Sequence, residues 1–199
     1  MRPLPTAALA AFSLLVLTAA GDAPLMTPSR DVDVTYTITA PVSATTPARP
    51  SLTERMRWDT AGGRYRVDPP TPGMWMVVDE HAHTMTVMRE AEHEALVMPR
   101  SATSSHAGPG AASGRTYERR GTDTVAGQPC TVWRTTDDHG TEVLSCITAD
   151  GVLLRASVGG HTVIEAKSVA YGPEPASVFA VPEGFRVAHP PVMPSPHAP

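Results

Sequence analysis

The residues with the most chemistry in reach lie between positions 74 and 98. His81, His83 and Met85 alternate along one run, with Met74 and Met76 before it and Met88, His93 and Met98 after it. Imidazole and thioether groups are ligands for copper. Methionine is also a filler of irregular cores, and His81 and His83 fall in a turn between two strand-like runs. No pair has the tight Cys/His spacing of a dedicated site. The expectation is therefore packing, with His81, His83 and Met85 as the metal candidates and no bound cofactor. Hydrolytic chemistry is supplied less well. The chain holds no Gly-x-Ser-x-Gly elbow, no His-Glu-x-x-His, no Ser-x-x-Lys and no glycine-rich phosphate loop opening a helix. Glu90, Glu92 and Glu94 read as a solvated edge, and Asp137, Asp138 and His139 as turn residues in water. No enzyme is expected.

The two cysteines, Cys130 and Cys146, bracket the turn Asp137-Asp138-His139-Gly140, in which Gly140 tolerates positive φ. Folding the chain about Asp138 sets Arg134 opposite Glu142, Val132 opposite Leu144 and Cys130 opposite Cys146, all on one face. Cross-strand neighbours stand about 5 Å apart, within disulfide reach. A bridged pair leaves no nucleophilic thiol and implies an oxidising compartment. The N-terminus agrees. Arg2, the apolar run Ala7 to Leu17 and the small residues Thr18-Ala19-Ala20 have the order of a secretory signal peptide cut after Ala20. That run is too short for a permanent membrane anchor. The expected location is periplasmic or secreted.

These residues need a scaffold, and its pattern is β. Short alternating runs separated by Gly and Pro recur: Val32 to Thr39, Arg55 to Thr60, Arg64 to Asp68, Thr84 to Met88, Thr116 to Thr124, Val152 to Val158 and Thr162 to Tyr171. Gly62-Gly63 suits a two-residue turn that would set Arg57 opposite Asp68 and Trp58 opposite Val67. Around Gly159-Gly160, Arg155 can face Glu165. Met74 to Val78 is apolar at every position, the mark of a strand covered on both sides or lining a cavity. Glu92 to Met98 is compatible with a strand or a helical turn. The expected fold is mainly β: an open, curved antiparallel sheet of about eight to ten strands, an incomplete barrel with little helix. The expected organisation is a signal peptide at 1–20, a flexible segment at 21–31, one β domain at 32–186 with a mobile loop at 99–114, and a disordered Pro-rich tail at 187–199.

Three segments carry a family likeness. Gly121-Thr-Asp-Thr-Val-Ala-Gly127-Gln-Pro-Cys130, then Cys146-Ile-Thr-Ala-Asp150-Gly151-Val-Leu-Leu-Arg155, then Phe179-Ala-Val-Pro182-Glu-Gly184-Phe185 occur in order. Together they resemble the secreted bacterial proteins grouped as domain of unknown function 4412. That family is similar in architecture to periplasmic lipoprotein carriers and outer-membrane lipoprotein receptors, which are curved half-barrels with an apolar interior. The likeness implies an extracytoplasmic half-barrel and brings no catalytic residues with it. The carriers fill their half-barrel with helices, and no amphipathic helix is evident here.

The functional expectation is a non-catalytic exported protein that binds a lipid, acyl chain or other apolar group on its concave face. Trp58, Tyr65, Met74, Met76, Val78 and Met85 are the candidate lining, because greasy surface left open on a curved sheet marks a groove. The alternative is an envelope scaffold whose open sheet docks a partner chain, and copper binding is third. The net charge is −4 and Lys167 is the sole lysine, which leaves no basic stripe for nucleic acid.

Overall fold

A computed structural model describes residues 23–39, 51–100 and 116–189. The signal peptide, most of the 99–114 loop and the tail beyond 189 lie outside the described residues. Among the described residues, twelve strands form one sheet. They are β1 (Val32–Ile38), β2 (Leu52–Asp59), β3 (Arg64–Asp68), β4 (Met74–Asp79), β5 (Thr84–Arg89), β6 (Glu94–Pro99), β7 (Glu118–Val125), β8 (Gln128–Thr136), β9 (Glu142–Ile147), β10 (Leu153–Val158), β11 (His161–Tyr171) and β12 (Arg186–Ala188). Their spatial order is β12-β6-β5-β4-β3-β2-β1-β11-β10-β9-β8-β7, so β12 and β7 are free edges and the sheet is open. All pairings are antiparallel except β12 with β6. The two strands beyond the expected number are β6, which settles the 92–98 ambiguity in favour of strand, and the short β12.

Irregular register concentrates in one half. The pairings from β1 through β2 to β6 run without interruption. Register shifts appear in β1–β11, β10–β11, β10–β9 and β7–β8. Each such irregularity bends and twists its strand. The bend is deep enough that the Tyr36 hydroxyl on β1 passes over β11 and donates to the Leu153 carbonyl at 2.8 Å.

Hairpin registers differ from expectation by two residues, for a shared reason. In β8–β9, Val132 faces Cys146 and Arg134 faces Leu144. In β2–β3, Arg57 faces Arg66 and Trp58 faces Tyr65. The loops are longer than two residues because an aspartate organises each. The Asp137 carboxylate accepts from the amides of His139 and Thr141 at 2.9 and 2.8 Å, and Asp59 accepts from Gly62 at 2.8 Å. A two-residue slip keeps every side chain on its face. The expected partners therefore still meet, diagonally. Cys130 and Cys146 are bridged with Cα atoms 5.4 Å apart, Arg134 pairs with Glu142 at 2.6 Å, and Arg57 pairs with Asp68. Arg155 faces Glu165 directly, although its ion pair is with Asp123.

Turns in the β2–β6 half interlock. Gly63, His83 and His93 each close a four-residue turn with positive φ, at 60°, 52° and 47°. Their carbonyls accept amides from further along the chain: Glu80 to Gly63 at 2.9 Å, Arg100 to His83 at 2.8 Å and Arg186 to His93 at 2.7 Å.

The two faces of the sheet are covered differently. After β11 the chain crosses the outer face, where a 3₁₀ turn at Ala176–Phe179 seats Phe179 against Trp75, Val77, Met88 and Ala95, with Phe185 beside them. This is how β4 comes to be covered on its outer side. The crossing ends in β12, so Val187 and Ala188 are strand residues rather than the start of a disordered tail. They pair with Ala95 and Leu96. Residues 23–31 lack regular structure but are tied down. Ser29 donates its amide to the Asp150 carbonyl at 2.8 Å, and Gly151 lies so close to Thr27 that a Cβ there would collide with the Thr27 carbonyl oxygen.

Candidate functional site

The inner face follows from register. Val32, Val34 and Tyr36 on β1 face Trp58, Met56 and Glu54 on β2. Met56 and Trp58 face Val67 and Tyr65, which in turn face Met76 and Val78, and Val78 faces Met85. Directly opposed residues share a face, so these side chains form one surface. Tyr65, Val67 and Val78 are its buried centre, with Met56, Trp58, Met76 and Met85 half-buried around them. Met56 and Trp58 also pack against the larger core of β1, β10 and β11, so the apolar surface runs on without a break. The Trp58 and Tyr65 rings stack at 6.3 Å between centroids.

Five of the six expected lining residues, Trp58, Tyr65, Met76, Val78 and Met85, are therefore brought together. Met74 shares their face of β4 but stands at its end opposite Arg89, outside the cluster. The copper candidates take three different environments. His83 holds the left-handed turn position, His81 stacks over Gly63, and Met85 belongs to the inner surface. Among the described residues no group of three or more His, Cys, Asp or Glu side chains could hold a metal ion.

One acid lies in surroundings that differ from expectation, and a second was not singled out by it. Glu94 is buried, 5% exposed, and ion-paired to both Arg89 and Arg186. It is a clasp on β12 rather than part of a solvated edge. Glu54 was missed because the expected strand began one residue later, at Arg55. The signal was available in its alternation with Met56 and Trp58. Burial pushes its carboxyl above the usual range. Burial likewise raises Tyr36 and Tyr65.

An open cleft of about 630 Å³ lies at the end of β1 and β2, lined by Ser29, Arg30, Asp31, Thr60, Ala61, Gly172 and Pro173. Its acid, Asp31, already accepts from both the amide and the hydroxyl of Thr60. The cleft reads as a tied-down junction of loops. The inner face is the candidate site.

No family model matches the sequence, and no curated protein matches it. Solved structures do. An uncharacterized conserved protein from Thermus thermophilus aligns at TM-score 0.55 and 11% identity, over 81% of this chain and 91% of that one. PNGF-II aligns at TM-score 0.50 and 11% identity over 82% of this chain, which spans only 31% of PNGF-II. The likeness is one of fold. A LolA superfamily protein from Nitrosomonas europaea also aligns, over 77% of this chain and 91% of that one at 11% identity, but its TM-score of 0.39 is too low to carry weight. No family model supports the motif likeness to domain of unknown function 4412.

Proposed function

We propose that this chain is an exported, non-catalytic binding protein whose inner face receives an apolar chain, a lipid or acyl group. The observation that carries the reading is the asymmetry of β2 to β5. The crossing segment and its 3₁₀ turn cover the outer face, while on the inner face Met56, Trp58, Met76 and Met85 stay only half-buried around the buried Tyr65, Val67 and Val78. Four half-buried apolar side chains there, two of them among the expected lining methionines, offer polarizable contacts that adapt to an irregular ligand. Export is supported by the Cys130–Cys146 bridge, which suits an oxidising compartment. Both thiols are engaged in it, so nucleophilic thiol chemistry has no donor.

A scaffold that adds a partner's strand is favoured less by the edges themselves. β7 carries Arg119 and Arg120 beside a register shift, and β12 is three residues long, both of which discourage strand addition. Native mass spectrometry of the full chain, purified from its own exporting host, tests the reading. Non-covalent adducts of lipid mass that vanish in organic solvent are expected. A bare mass with a stable dimer would overturn the proposal in favour of a scaffold.

A further inference from the structure

We infer that the inner-face ligand is an amphiphile with a positively charged nitrogen, and that Glu54 receives that nitrogen; this deepens the reading above and rests on it. Glu54 lies directly opposite Tyr36 and alternates with Met56 and Trp58, so it belongs to the apolar face. Its basic chain neighbours point the other way and are already engaged. Arg55 holds Asp33 at 2.5 Å, and Arg57 holds Asp68. Among the described residues, Glu54 makes no hydrogen bond or ion pair of its own.

The contrast with Glu94 is informative. That acid is also on the inner side, but Arg89 and Arg186 neutralise it. Glu54 sits half-buried among Tyr36, Ile38, Leu52 and Met56 with its charge uncompensated. A carboxylate partly withdrawn from water without a partner is costly, and a bound cation at hydrogen-bond distance offsets that cost. Burial already lifts its carboxyl above the usual range.

The geometry also suits an amphiphile. From β2 to β5 the apolar surface spans three inter-strand spacings, about 14 Å, the reach of a medium-length alkyl chain. Glu54 stands at one end of it, beside Leu52, which is 50% exposed and marks the open rim. A tail laid across Met56, Met76 and Met85 places its head group at that rim.

The test uses the full chain at neutral pH and twelve-carbon probes below their micelle concentrations. These are dodecylamine, dodecyltrimethylammonium, dodecyl sulfate and dodecyl maltoside, followed by isothermal titration. The cationic probes are expected to bind at least tenfold more tightly than the other two. Glu54→Gln should remove that preference while leaving maltoside affinity unchanged, Glu54→Asp should keep part of it, and Asp138→Asn, in the β8–β9 loop, should keep all of it. If no probe binds, the groove itself is refuted. If all four bind wild type equally, or the preference survives Glu54→Gln, the groove stands and the role of Glu54 is overturned. Lysophosphatidylethanolamine binding more tightly than dodecylamine would assign the nitrogen to a phospholipid head group, and the reverse to a free alkylamine.

Discussion

Reducing the Cys130–Cys146 bridge, or replacing Cys130 by Ala, lowers the melting midpoint substantially. The bridge spans 16 residues of sequence. A loop of that length restricts the unfolded chain by about 3 kcal/mol in the chain-entropy treatment, or roughly 6 to 12 °C for a domain of this size. Both cysteines are buried, at 4% and 2% exposure, against Val125, Val152 and Leu154. Substitution by Ala therefore also loses packing, and the variant should melt somewhat below the reduced wild type. Differential scanning calorimetry with and without reductant gives both values. Equal midpoints in the two conditions would mean that the covalent link contributes nothing.

Asp68→Asn is the second large effect. Asp68 lies at the end of β3 and accepts from Arg66 at 2.5 Å and from Arg57. The Arg57 side chain is only 9% exposed, and its Nε has no partner. Removing the carboxylate strands a buried cation, which costs about 3 kcal/mol. Arg66 is less dependent on it, because its guanidinium also donates to the Val178 carbonyl at 3.1 Å and lies over the Trp75 ring at 4.6 Å. Arg57→Met should cost clearly less than Asp68→Asn, since it removes the buried charge instead of isolating it. Urea denaturation of the two variants decides the order, and the reverse order would contradict the assignment.

The same pair sets a pH dependence. Burial alone would raise the Asp68 carboxyl, but the Arg66 and Arg57 guanidiniums outweigh it and hold it below the usual carboxylate range. A depressed native carboxyl stabilises the fold fully above the unfolded-state value. That contribution fades as pH falls through the lower native value, and Asp68→Asn should show a weaker loss of stability in acid than wild type.

Face assignments were legible in the sequence, and loop lengths were not. Trp58, Tyr65, Met76, Val78 and Met85 share a surface because strand alternation is local and survives any even slip in register. The Asp59 and Asp137 loops took two residues more than expected because a carboxylate capping the turn amides competes with the tighter glycine turn. β12 was invisible for a different reason. Three residues gain strand character only from β6, about 90 positions earlier in the chain, and from an Arg186–Glu94 contact that no local pattern encodes. The burial of Glu94 was missed with it. The outer-face role of Phe179 and Phe185 likewise depends on where the crossing segment lands, on Trp75, rather than on the motif around them.

Tryptophan emission reports the occupied face most directly. Trp58 lies on the inner surface and Trp75 on the outer, with Trp133 elsewhere in the sheet. Variants retaining Trp58 alone or Trp75 alone, checked for native circular dichroism, are titrated with a dodecyl-length amphiphile brominated in mid-chain. Binding on the inner face quenches Trp58 by at least half and leaves Trp75 unchanged. Quenching of Trp75 with Trp58 unaffected would contradict it, as would saturating binding that quenches neither.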